Sequence, residues 1–234
     1  MRIEKLREEM EYELTWRTDE LRMLKNNLSL ILKDEDKDKY RKSLIVMLYA
    51  HFEGFSKTCF NSYVSFINTQ KLKRYQIEEK PELIASCMND IFKAYDDKDR
   101  KNKIFKRQLP DDKKLHSTYR RADLISQFKG FLTEEVYIKD DVIKTDSNLK
   151  SHVLSRNLYY VGINPTRFND FSDDIDNLVN LRNGIAHGSD KSGIDEKKYN
   201  NYENIVLKNI MESLIQLFED EAKQIIEIKE KYRL

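Results

Sequence analysis

The octapeptide Leu181-Arg182-Asn183-Gly184-Ile185-Ala186-His187-Gly188 places a guanidinium, an amide and an imidazole within six positions. Arginine can fork two N–H donors onto one phosphate, and histidine, with an ordinary pKa of about 6.5, exchanges protons in the neutral range. That chemistry suits the breaking of a phosphodiester by an internal nucleophile. RNA carries one: its 2′-hydroxyl can attack the adjacent phosphorus if a base takes the hydroxyl proton, an acid protonates the leaving 5′-oxygen, and a cation steadies the charged intermediate. On this reading His187 is the base or the acid, Arg182 clamps the non-bridging oxygens, and Asn183 positions the sugar hydroxyl or holds the imidazole.

Spacing alone is weak support, because 14 arginines and 4 histidines in 234 residues give roughly one accidental Arg-x4-His pair in every four such chains. Context narrows it. Apolar residues with helical spacing (Ile175, Leu178, Val179, Leu181) lead into Arg182, and Gly188 follows His187, so the trio sits in the last turns of a helix. Five helical residues turn through about 140°, so Arg182 and His187 do not share a face. Two chains meeting at this segment would supply two histidines and two arginines to one cleft.

Other residues invite a role. Glu53 and Lys57 stand four apart in the order that favours an ordinary helix ion pair. The alternative is that Glu53, a charge on an otherwise apolar helix, faces the Arg-His cleft and orients Arg182 or His187, since an unpaired buried carboxylate is costly. His51 reads first as a hydrogen-bonded core histidine and second as an accessory to the cleft. His116 and His152 read as surface residues. Lys101 to Arg107 with Phe105, and Arg120-Arg121 after Tyr119, read first as a solvated loop and second as a holder of RNA phosphates with a base-stacking ring. Asp173, Asp174 and Asp176 fit the acidic start of a helix better than a metal site. No cofactor motif or metal-ligand spacing is present.

These residues need a frame, and composition favours helices. Hydrophobic residues make up 39% and charged residues 35%, with only three prolines and six glycines. Lys plus Arg number 42 against 41 Asp plus Glu, so any basic surface must be local. Cys59 and Cys87 lack redox or zinc spacing and read as small core residues. The N-terminus is charged from its second residue, and no run approaches the ~18 apolar residues of a membrane span, which points to a soluble cytoplasmic protein.

Ile3 to Ile31 carries the stripe of one long amphipathic helix that stops in the charged run Lys33 to Lys39. A second helix over 40–68 is apolar nearly all round at its centre, as befits the middle of a bundle. A third is expected over 81–95, with Pro81 in its first turn. Residues 96–147 read as a charged, irregular insertion, holding a short helix near 121–133 and a possible β-hairpin near 135–144. A helix over 148–161, one capped by Ser172 that runs into the motif, and a long last helix begun at Ser192-Gly-Ile-Asp195 complete one all-α domain spanning 1–234.

Arg182-Asn183-x3-His187, with the aromatic helix Tyr49-Ala50-His51-Phe52-Glu53-Gly54-Phe55 and the long flanking helices, resembles the HEPN superfamily. Within it the chain looks like the stand-alone bacterial branch sometimes called MAE-like. The resemblance implies an all-α HEPN bundle, a metal-independent endoribonuclease without cofactor, a homodimer with two motifs at the two-fold, RNA as substrate, and a toxin–antitoxin or antiphage setting with a cognate partner protein. Some members carry, two residues after the histidine, a tyrosine that a partner nucleotidylates. Here that position is Ser189, which departs from the pattern. A catalytically silent HEPN module that binds a partner protein or nucleotide, and a helical adaptor without an active site, are the alternatives.

Overall fold

A computed structural model describes residues 1–189 and 191–232. Helix α1 (Ile3–Asn26) buries Leu6, Met10 and Leu21 at helical spacing and closes in a 3₁₀ turn, Asn27–Leu30, short of the expected Ile31. The charged run at 33–39 is no break. Asp34, Glu35 and Asp36 form the first turn of α2 (Asp34–Gln70), where acids complement the helix dipole, and Lys37 and Lys39 pair back to them.

Helix α2 is roughly 55 Å long and buried along most of its length; α1, a later helix α7 (Ser172–Ala186) and a last helix α9 (Ser213–Lys231) all pack against it. Phe52, Phe55, Phe60, Tyr63 and Phe66 are buried in full, each contributing roughly 1.5–3 kcal/mol relative to exposure. Phe218 of α9 meets Phe60 edge-on at 5.0 Å and stacks on Tyr63 at 4.9 Å. This aromatic seam makes α2 the axis of the bundle. Cys59 is buried in it, and burial raises its thiol pKa.

The expected third helix is two, α3 (Pro81–Cys87) and α4 (Asn89–Asp96), broken at Met88, whose φ of −97° and ψ of 6° leave the helical region while its side chain drops into the core. Helix α5 (Lys113–Leu132) starts earlier than expected because Asp112 caps it, accepting from the Leu115 N–H at 2.9 Å.

No hairpin forms at 135–144. Among the described residues the only β pairing is one isolated bridge between Lys73 and Glu135. The reason lies in α2: the Asn68 side chain accepts the Ile138 N–H and donates to its carbonyl, both at 2.9 Å, so an amide replaces the partner strand. Val136, Ile138, Ile143 and Leu149 are core residues. The charged insertion expected over 96–147 is therefore divided by α5 and anchored by core residues after it, and only its first part, about 97–112, buries no side chain.

Helix α6 (Ser151–Tyr160) is followed by Gly162, whose φ of +72° and approach to Leu83, 3.0 Å from where a Cβ would stand, both call for glycine. A 3₁₀ turn, Asn169–Phe171, leads into α7, so Ser172 is its first residue rather than its cap. Beyond α7, Gly193 passes so close to Asp38 that a Cβ would lie 2.6 Å from the Asp38 Cβ, and the Ile194 N–H donates to the Asp38 carbonyl at 2.9 Å. The chain leaving α7 is thus fastened to the start of α2.

The cap of α8 (Glu196–Asn204) is Asp195, accepting from Lys198 N–H, and not Ser192. A π-helical stretch, Ile205–Glu212, joins α8 to α9 without interruption. Helix α9 ends at Lys231, and Leu234, toward which the apolar pattern ran, lies outside the described residues. No described helix is long and apolar enough to cross a membrane.

Candidate functional site

Leu178 and Val179 are buried under α7, and Arg182, one turn further along, follows them onto the face that meets α2. From α2 come Tyr49 and Glu53, four apart and so on one face. The Arg182 guanidinium carbon lies 4.2 Å from the centre of the Tyr49 ring, Nη2 is 3.7 Å from Glu53 Oε2, and Nη1 donates to Asn183 Oδ1 at 2.8 Å. The cation is held by a ring, a carboxylate and an amide. Its side chain nevertheless stays 23% exposed.

Tyr49 is a buried platform, not a proton donor to substrate. Its hydroxyl oxygen accepts the Leu149 N–H at 2.6 Å, and burial, reinforced by Glu53 beside it, pushes its pKa up to about 12. The ring therefore stays neutral and presents its face to Arg182, where a desolvated cation gains most.

His187 closes α7. Its N–H donates to the Asn183 carbonyl at 2.9 Å, and Gly188, at φ +71°, turns the chain away. The side chain is exposed, and among the described residues no hydrogen bond engages the imidazole. Ser189 Oγ donates to the Gly184 carbonyl at 3.2 Å, which ties off the helix end. Arg182 and Asn183 are thus in direct contact, while His187 stands free at the helix end. That matches the 140° between them and leaves the chain with one arginine facing α2 and one open imidazole.

Of the supporting candidates, Glu53 joins this group and the others do not. The expected Glu53–Lys57 ion pair does not form: Glu53 turns to Arg182, and Lys57 is exposed a turn away. His51 lies on the opposite face of α2, buried against α1, with Trp16 edge-on at 5.5 Å and Glu20 Oε2 3.2 Å from Nε2. Burial, aided by nearby Arg17, lowers its pKa despite Glu20.

His116 is not a surface residue but is buried under the loop at 102–109. His152 is exposed, as read. Asp173 and Asp174 occupy the first turn of α7, and Asp176 accepts the Ser151 N–H at the start of α6, so these acids serve helix ends. Tyr49 was missed as a partner of Arg182. Its only sequence signal was the four-residue step to Glu53 on an otherwise apolar helix.

The model of the family described as RiboL-PSP-HEPN matches residues 12–220, which takes in the motif and every helix from within α1 to within α9. No curated protein and no solved structure matches the chain.

Proposed function

We propose that this chain, which belongs to the RiboL-PSP-HEPN family, is a metal-independent endoribonuclease that acts as a homodimer. The observation that carries the reading is the Arg182 cluster: a guanidinium steadied by Glu53, Tyr49 and Asn183, with donor edges still open, at the helix end that presents His187.

In the reaction, the RNA 2′-oxygen loses its proton to a histidine and forms a bond to phosphorus, the bond from phosphorus to the 5′-oxygen breaks, and that oxygen takes a proton from an acid. The products are a 2′,3′-cyclic phosphate and a 5′-hydroxyl. The two His187 side chains of a dimer would divide the base and acid roles, worth typically ~10²–10⁴-fold. Arg182 would fork onto the non-bridging oxygens, as lysine could not. Glu53 is a positioning residue that acts through Arg182. Membership of the MAE-like branch, and work as a toxin or antiphage effector with a cognate partner protein, belong to the same proposal.

The test is cleavage of a labelled RNA in EDTA by wild type, Arg182→Ala and His187→Ala. Cyclic-phosphate ends from wild type alone are the expected result. Activity strictly dependent on added divalent metal would sink the mechanism, and binding without cleavage would make this a silent module. Light scattering should show a dimer, and a monomer that cleaves at full rate on dilution would refute the shared site.

A further inference from the structure

Residues 98–121 carry ten Lys and Arg against three Asp, a net charge of +7 on a chain whose total is +1, which leaves −6 for everything else. Charge so segregated sets up a local positive field on an otherwise acidic protein. Among the described residues almost none of that charge is neutralised within the chain. Lys103, Lys106, Lys113 and Lys114 are exposed and make no ion pair among the described residues, and of the ten cations only Arg100 is paired, with Asp123.

The segment is built rather than loose. His116, buried at the start of α5, accepts the Asn102 N–H at Nδ1 (3.3 Å), and its Nε2 lies 2.9 Å from the Leu109 carbonyl, which it meets as the protonated nitrogen. Asn102 Oδ1 in turn accepts the Ile104 N–H at 2.8 Å. Arg100 lies over the Tyr95 ring at 4.1 Å, and Arg120 donates to the Arg100 carbonyl. These ties hold residues 102–109 against α5. Where the two ends of that loop meet α5 lies a cavity of about 630 Å³, lined by Lys98, Lys101, Lys113, Lys114 and Arg120 and also by Asp99 and Asp111.

The same arm displays apolar side chains that a solvated loop has no need of. Ile104 is 73% exposed and Phe105 38% exposed, between Lys103 on one side and Lys106-Arg107 on the other. Cations with an open ring among them match the two halves of a single strand, phosphates along the backbone and bases that stack. A duplex would hide its bases.

We infer that the arm over 98–121 is a docking site for single-stranded RNA, separate from the Arg182–His187 centre. The arm runs on into α5, whose last turn is held beyond the end of α2 by Arg74, which donates to the Phe131 carbonyl at 2.9 Å, and Gln70 closes α2 roughly 25 Å past Glu53. The arm grips and the motif cuts. The inference extends the ribonuclease reading but stands on different residues, so a cleavage-dead protein can test it.

The experiment measures binding of a ~20-nucleotide labelled single-stranded RNA to His187→Ala protein in EDTA, with and without Lys103→Glu, Lys106→Glu, Lys113→Glu and Lys114→Glu together. The reversal should weaken binding at least ~30-fold at ~0.1 M salt and lower the log–log salt slope by about 3, at ~0.7 per lost phosphate contact. The milder Lys→Gln set, which adds no repulsion to disturb folding, should lower the slope equally, while Lys→Arg at the four sites keeps affinity. Phe105→Ala should cost at least ~5-fold with the slope unchanged.

Reversal and Lys→Gln proteins that bind as tightly as their parent would overturn the arm as the docking site, whether or not wild type cleaves. Equal affinity for a duplex would overturn the single-strand assignment. A polyglutamate peptide that displaced the RNA at matched charge would hand the arm to an acidic protein instead.

Discussion

Two arginine clusters flank α2 and are made of nearly the same parts. On one side Arg182 lies over Tyr49, 4.2 Å from the ring centre, with Glu53 at 3.7 Å and His187 at the end of its helix. On the other, Arg17 lies over Trp16 at 4.1 Å, with Glu13 at 2.8 Å and His51 and Glu20 close by. Chemical inventory does not separate them. Arg17 is bonded to a carboxylate one turn back on its own helix and is 10% exposed, so its charge is spent where it stands. Arg182 is held at longer range by another helix and keeps open donor edges, beside an imidazole that water can reach. The difference lies in what solvent, and so a substrate, can reach.

The largest expected effect separates the clusters outright. Arg182→Ala and His187→Ala should each lower RNA cleavage at least ~100-fold, as befits groups that act on the transition state. Melting temperature should stay within ~3 °C, because the part-exposed pair with Glu53 is worth no more than about 1 kcal/mol. Either variant cleaving at near-wild-type rate would place the centre elsewhere.

Arg17→Ala should do the reverse. Removing a nearly buried, paired cation that also covers Trp16 should cost about 2 kcal/mol and lower the melting temperature by about 4–8 °C, while cleavage per folded molecule stays unchanged. Lost activity without lost stability would mean that the second cluster is also functional, and the contrast would fail.

Glu53→Gln sharpens the contrast within the first cluster. It removes the charge that orients Arg182 but leaves the volume, so kcat should fall about tenfold with KM nearly constant. Glu53→Asp should restore part of the rate. A merely structural role would show as a change in melting temperature instead.

The smallest effect is a pH signature of the second cluster alone. The folded-state pKa of His51 is lowered, so it contributes stability that is present above the ordinary histidine pKa of about 6.5 and lost as pH falls through the folded value. Thermal melts should show stability declining on the acid side of about pH 6.5, and His51→Phe, which keeps a ring against Trp16, should flatten that slope. An unchanged slope would move the acid sensitivity to another group.

Much of the frame was readable from the chain. The stripes of α1 and α9, the apolar centre of α2 and the helix running into Arg182 rest on repeats of three and four residues, which report local geometry and need no partner. The errors have two causes, a local ambiguity and partners distant in the chain. Asp34 to Asp36 looked like a linker because a helix start and a solvated turn use the same acids. Val136 and Ile138 looked like a strand because their partners, Leu72 and Asn68, lie more than 60 residues back in the chain. His116 looked exposed because only the folding back of 102–109 covers it.

The sequence by itself determined that this is a helical chain in which arginine, asparagine and histidine end one helix, and it offered both His51 and Glu53 to the cleft although residues two apart on a helix lie about 200° around from each other. Which neighbours they meet was decided by the tertiary structure. Helix periodicity assigns a residue to a face, but the helix that covers that face is chosen by burial summed over the whole chain. Only when α7 packed on one side of α2 and α1 on the other did Glu53 acquire Arg182 in place of Lys57, and His51 become a core residue.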